Sequence, residues 1–280
     1  MKLIAESGST KTDWVAFSNN SGTDIQFRTA GLNPHVLSTS AITKQLFESD
    51  QLKSLVTATK HIYFYGAGCS SLSMKKSVKD ALRAVFPTTK IDVHHDLDAA
   101  VRSTWTGEKA ITSILGTGSN CCLFDGKEIV QHKPSLGHLL GDEGSGNHMG
   151  GNLYRAIAYK EAPKEIIDSF YNEFEFQPSE LVTLLYAQNK PNEFLASFLP
   201  FVKTKRDHLF IKSLIIESFD SFVNTHIKSF DDHQHVPCHF VGSIAHHFQP
   251  ELKEVLESNG LIMGTVLQSP LEGLVNYHKR

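Results

Sequence analysis

Two short stretches of this chain carry residues suited to holding a polyphosphate. In Ser113-Ile-Leu-Gly-Thr-Gly-Ser-Asn-Cys-Cys-Leu-Phe124, Gly116 and Gly118 flank Thr117 between apolar runs that read as strands. Glycine lacks a Cβ, so it can take positive φ and let backbone N–H groups close on a large anion. Leu3–Phe17 repeats the pattern around Gly8-Ser9-Thr10. Aligning Gly8-Ser9-Thr10 with Gly118-Ser119-Asn120 gives two similar hairpins roughly 110 residues apart, which implies two related halves. Two such loops facing each other across a cleft could hold one nucleotide's phosphates. Taken singly, a glycine turn between strands is ordinary structure. No G-x-x-x-x-G-K-S/T occurs, and no G-x-G-x-x-G opens a helix after a strand.

Carboxylates supply the second kind of chemistry. Asp96 follows the strand Ile91–His94 at a helix start, where an Asp is either a plain cap or a base aimed at a ligand. Asp98 competes with it, because the register around Asp-Leu-Asp-Ala-Ala is ambiguous by two residues.

The totals bound the answer. At 280 residues the chain has room for two domains, and 40% apolar with 20% charged residues is a globular profile. A formal net charge of −3 argues against a nucleic-acid surface. The basic group Lys203, Lys205 and Arg206 reads as a solvated helix entrance. The start is too short in apolar residues for a signal peptide and no run is long enough to span a bilayer, so the cytoplasm is expected, without a membrane partner. Cys69, Cys121, Cys122 and Cys238 form no C-x-x-C pair and read as buried reduced thiols.

The elements that must position these groups follow in order. After the first hairpin come a turn at Asn19–Gly22 and a strand from Thr23 to Ala30. A helix capped by Ser38 or Thr39 then runs to about Ser49. His61–Tyr65 is a strand, a helix opens at Ser73 and closes before Pro87, and Ile91–His94 is another strand. The second half begins with the strands of Leu115–Val130. A glycine-rich segment, a largely helical region over Asn152–Phe230 and the strand Cys238–Val241 follow, the last ending at Gly242-Ser243. Asp207–Ser229 has too many apolar positions for a surface helix and is expected at the centre of its packing. Gly264–Gly273 reads as loop before a short terminal helix.

The paired hairpins, Gly-Thr-Gly-Ser-Asn120, Gly-Asp-Glu-Gly-Ser145 and Val-Gly-Ser-Ile244 together resemble the BadF/BadG/BcrA/BcrD-type ATPases of the actin/Hsp70/sugar-kinase superfamily, and among them the N-acetylglucosamine kinases. The resemblance covers nearly the whole chain and is most specific over Leu115–Leu123 and Gly137–Ser145. It implies an α/β fold of two RNase-H-like domains with a ligand cleft between them. The first would be residues 1–110. The second would be 111–280 with a helical insertion, its last helix packing back on the first. It implies a kinase that uses ATP and Mg²⁺ on an amino sugar, with a homodimer as a possible assembly. Asp96 would be the general base. Gly8, Ser9, Thr10, Lys11, Gly116, Thr117 and Gly118 would line the phosphates, Gly242 and Ser243 the adenosine, and Glu6 would hold Mg²⁺ through water. Asn33, Asp96, Gly118, Asn120 and Asp142 would meet the sugar, with Glu143 able to share the role of Asp142.

One departure concerns the sugar. Where these kinases can carry Gly-Trp-Gly-His, this chain has Ser135-Leu136-Gly137-His138, an apolar wall without an aromatic platform. Two other functions fit the same resemblance less well. A reductase activator would need cysteines shared at an iron–sulfur cluster, yet Cys121 and Cys122 point to opposite faces of a strand. A non-catalytic sugar sensor would bind sugar without turning over ATP.

Overall fold

The computed structural model describes residues 1–8, 10–18 and 24–279. Ser9, the turn at Asn19–Gly22 and Thr23 lie outside the described residues. The chain divides into two compact units, Met1–Ser103 with the segment from Ser269, and Thr104–Gln268. The sequence reading put the division at 110–111.

The first unit is built on β1 (Lys2–Ser7), β2 (Lys11–Phe17), β3 (Ile25–Ala30), β4 (His61–Gly66) and β5 (Lys90–His95), in the sheet order β3-β2-β1-β4-β5. β1, β2 and β3 run antiparallel as a meander, while β4 and β5 run parallel to β1. Side chains alternate between the two faces. Leu3, Ala5, Trp14, Ile62, Phe64 and Ile91 pack with the buried sides of α1 (Thr39–Glu48), α2 (Asp50–Leu55) and α3 (Leu72–Val85). Ser38 and Ser71 cap α1 and α3; a second serine, Ser49, ends α1 and caps α2, a break the sequence reading ran past. On the other face, Ile4, Val15, Phe17 and Tyr65 meet Ala99 of α4 (Asp96–Thr104). Glu6, two residues beyond Ile4, shares that face.

The second unit repeats the plan. Its strands β6 (Ala110–Leu115), β7 (Ser119–Phe124), β8 (Ile129–His132), β9 (Pro237–Val241) and β10 (Ile262–Leu267) are ordered β10-β9-β6-β7-β8, with β6–β8 antiparallel and β9 and β10 parallel to β6. Strand for strand this is the first sheet again, which makes the internal repeat real.

Between β8 and β9 lie α5 (Gly146–Ala158), α6 (Lys164–Phe174), α7 (Leu181–Tyr186), α8 (Pro191–Ala196), α9 (Leu199–Thr204) and α10 (Leu209–Thr225). As expected, α10 is central, with Ile211, Leu214, Ile215, Phe219, Phe222 and Val223 all buried. α11 (Ser243–His247) and α12 (Gln249–Ser258) precede β10. α13 (Leu271–Lys279) returns to the first unit, where Leu274 and Val275 join Ile4, Val15 and Phe17.

β10 corrects the loop expected from Gly264. A Cβ on Gly264 would lie 2.3 Å from His239 Nδ1, and the Thr265 N–H donates to the same nitrogen at 2.8 Å. The glycine is therefore a strand residue that makes room for an imidazole, and the pairing with β9 shifts register there. All four cysteines are buried and free, as expected of small apolar groups. Among the described residues no helix is long and apolar enough to cross a membrane.

Candidate functional site

The two hairpin tips correspond by position. In the first, Ser7 pairs with Thr12 and Gly8 follows Ser7; in the second, Leu115 pairs with Ser119 and Gly116 follows Leu115. Gly8 is thus equivalent to Gly116, two residues from the match with Gly118 that the sequence suggested. Each tip carries an exposed threonine, Thr10 or Thr117. Neither Gly116 nor Gly118 uses the left-handed conformation open to glycine. Gly118 is glycine for another reason: a Cβ there would lie 3.0 Å from Asp142 Oδ2.

A brace fixes the second tip from behind. The N-terminus of α5 donates into it, Gly146 N–H to Gly116 O at 2.8 Å and Asn147 N–H to Thr117 O at 3.0 Å. The Asn147 side-chain amide donates to Thr117 O at 2.6 Å and to Asp142 Oδ2 at 2.9 Å. Asp142 Oδ1 accepts from the Ser119 N–H at 3.2 Å. Both oxygens of the Asp142 carboxylate, only 8% exposed, are therefore engaged in holding the loop. Asp142 takes φ 61°, a value Asn and Asp tolerate best. Its neighbour Glu143 is paired with His226 at 3.0 Å; burial opposes its ionisation, but its own backbone N–H and His226 outweigh that and lower its pKa. Asn147 was not singled out from the sequence, though its spacing from Asp142 places it on the first turn of α5.

From Gly116 and Thr117 a pocket of about 380 Å³ opens within the second unit. Gly146, Ala196, Leu199, Pro200, Ile244 and Phe248 give it apolar walls, and Ser243, Lys203 and His247 give it polar ones. Gly242, at φ 129°, is forced by close approach, since a Cβ would meet Leu115 O at 2.2 Å. Lys203 is exposed in the last turn of α9, in keeping with the solvated lysine expected, and it also lines the pocket. Its ammonium stands 3.3 Å from His247 Nδ1 at the pocket wall, while Arg206 forms a paired fork on the buried Glu251.

In the first unit, Ser7 and Thr12 share a hydroxyl bond of 2.7 Å below the tip, and Ser7 Oγ accepts from Leu32 N–H at 3.0 Å. Acids gather beside it. Burial pushes the Glu6 carboxyl up to about 7, the charges of Asp13 and Asp96 add to this, and Lys11 opposes it. Lys11 is bound to Asp13 at 2.9 Å. Asp96 Oδ1 accepts from Leu97 N–H at 2.8 Å and lies 2.8 Å from His95 Nδ1. Asp98 instead turns back, its Oδ2 capping the His95 N–H at 3.0 Å. Asn33 Oδ1 accepts from His35 N–H at 2.9 Å and packs on Gly68. Asn120 Oδ1 accepts from the Cys121 N–H at 2.9 Å, and Leu136 is largely exposed.

A structure from Porphyromonas gingivalis, described as a putative N-acetylglucosamine kinase, is 36% identical with a TM-score of 0.94, covering 100% of this chain and 99% of that one. The chain belongs to the BadF/BadG/BcrA/BcrD-type ATPase family. Its two-domain architecture is that of the actin-like superfamily. The corresponding Chromobacterium violaceum protein, at 12% identity and TM-score 0.75 over 99% of this chain and 98% of that one, shares the fold. So does a ROK family glucokinase from Streptomyces griseus, solved with glucose and AMPPNP, at 12% identity and TM-score 0.52 over 99% and 97%. No family model and no curated protein matches the chain. The duplicated five-stranded sheets are the two RNase-H-like domains this family is built from.

Proposed function

We propose that this protein is an ATP-dependent kinase that phosphorylates a hydroxyl of an amino sugar, most simply N-acetylglucosamine. The observation that carries the proposal is the pocket that starts at the Gly116–Thr117 tip: its volume suits a nucleoside, and it ends on a loop suited to phosphates. Leu199, Pro200, Ile244 and Phe248 would sandwich the base, Ser243 would meet the ribose, and Thr117 and Gly118 would face the phosphates. Gly8, Thr10 and Lys11 would contribute in the same way from the first tip; Ser9 belongs to that tip in sequence. Phosphoryl transfer asks chiefly for such positioning and for charge stabilisation.

Mg²⁺, when bound, would neutralise charge on the transferring phosphoryl group. Glu6 suits it: a carboxylate crowded by Asp13 and Asp96 is one whose ionised form a cation favours. Among the described residues no three His, Cys, Asp or Glu side chains converge to hold a metal. Mg²⁺ would be held through water, from one or two carboxylates and the substrate's phosphates.

Asp96 would take the acceptor's proton as its oxygen bonds to the γ-phosphorus and ADP leaves. We take Asp96 over Asp98 because its charge is the one that reaches Glu6, while Asp98 turns its Oδ2 back onto the His95 N–H. Asp142 supports the phosphate loop, and a contact with sugar would come in addition to that. The test is a coupled ADP-release screen across N-acetylglucosamine, N-acetylmuramic acid, glucosamine and glucose. An N-acetylated sugar should stimulate release most; equal rates with every sugar and with none would reject the reading.

A further inference from the structure

We propose that His95 is a positioning residue for Asp96, holding one carboxylate oxygen so that the other alone faces the acceptor hydroxyl. The inference rests on the reading of Asp96 as the base. β5 ends on His95 and α4 begins on Asp96, so the two side chains leave adjoining backbone at a strand-to-helix corner. Oδ1 of Asp96 receives two donors, Leu97 N–H and His95 Nδ1, each at 2.8 Å. Among the described residues, no donor meets Oδ2. Leu97 N also lies 3.3 Å from His95 Nδ1 but 2.8 Å from Asp96 Oδ1, and we assign to Nδ1 the hydrogen that its 2.8 Å contact with Oδ1 calls for. The backbone from which the His95 ring projects is held as well, because Asp98 Oδ2 accepts the His95 N–H at 3.0 Å. The three residues form a chain: Asp98 holds His95, and His95 holds Asp96.

The arrangement answers a problem the site creates. Glu6 and Asp96 repel each other when both are ionised, and a carboxylate on a strand end can turn away about its side-chain torsions. A donor locked onto Oδ1 opposes that rotation. The charged groups around the imidazole are Asp96 and Asp98 from α4 and Lys75 from α3. Burial and Lys75 depress its proton affinity, but the Asp96 hydrogen bond and the two carboxylates outweigh them and raise it.

The test compares H95A, H95N and H95L with wild type and D96N by steady-state ADP release. Loss of orientation should lower kcat by about 10- to 100-fold in H95A and H95L, with the KM values for sugar and ATP within about two-fold of wild type. H95N should recover most of kcat, since its amide can donate from near the place of Nδ1. Equal kcat for H95N and H95L at matched melting temperature overturns the proposal, as does wild-type kcat in H95A. Should H95A fold poorly, the H95N–H95L pair decides alone. D96N separates the two readings: an active D96N removes the base, whereas an inactive D96N beside a fully active H95L removes only the role of His95.

Discussion

Asp142 lies against Gly118 so closely that a Cβ on Gly118 would stand 3.0 Å from its Oδ2 and 3.1 Å from its Oδ1. With Asn147 donating to the same carboxylate, the glycine tip is fixed from behind by an acid and an amide. A G118A variant should therefore displace the loop and raise the KM for ATP about ten-fold. D142N swaps an acceptor for a donor and leaves either Ser119 N–H or the Asn147 amide unmatched, a loss of about 1–3 kcal/mol. Steady-state kinetics on both should show ATP affinity falling more than sugar affinity. A rise confined to the KM for sugar in D142N would make Asp142 a sugar ligand first.

Glu6 ties function to stability. Its carboxyl is pushed up to about 7, against 4.5 when unperturbed, so folding penalises its ionised form. The penalty is absent below pH 4.5, grows as pH rises and is complete above 7, on the order of 3 kcal/mol. E6Q should therefore melt above wild type at pH 8 and match it at pH 4, while losing kinase activity. Thermal melts at the two pH values without nucleotide check this; equal melting temperatures at pH 8 would contradict it.

The pocket gives a steric test. Ala196 lines it, and a Cβ on the neighbouring Gly146 would sit 3.3 Å from Ala196 Cβ. A196F should fill the space. AMPPNP should then raise the melting temperature of wild type, as a ligand bound only to the folded state must, and leave A196F unmoved.

Gly150 is where α5 and α8 touch. A Cβ there would fall 1.9 Å from Leu195 O, a backbone atom that cannot swing aside. G150A should cost about 2–4 kcal/mol by overpacking, read as a lower urea midpoint with unchanged slope.

Much of this could be read in the chain itself. The hairpins, the Ser38 cap of α1, buried α10 and the Gly242 turn announced themselves, because glycine spacing, caps and apolar period are local signals. What stayed hidden depends on partners distant in sequence. Gly264 read as loop because His239, the reason for it, sits on another strand. Lys203 read only as a solvated helix lysine, and the fold alone brings it to a pocket wall beside His247. The hairpin alignment slipped by two residues because Gly118 answers to Asp142 and not to its own loop. The proposed preference for Asp96 over Asp98 rests on side-chain direction, Asp98 turning back onto the His95 N–H, and spacing does not encode that.

Nucleotide turnover by D96N is the measurement closest to the centre of the account. With Mg²⁺ and ATP, wild type should release ADP only when an amino sugar is present. D96N should lower that rate by at least about a hundred-fold while AMPPNP still raises its melting temperature. Sugar-independent ADP release by wild type, or full sugar-dependent release by D96N, would contradict it.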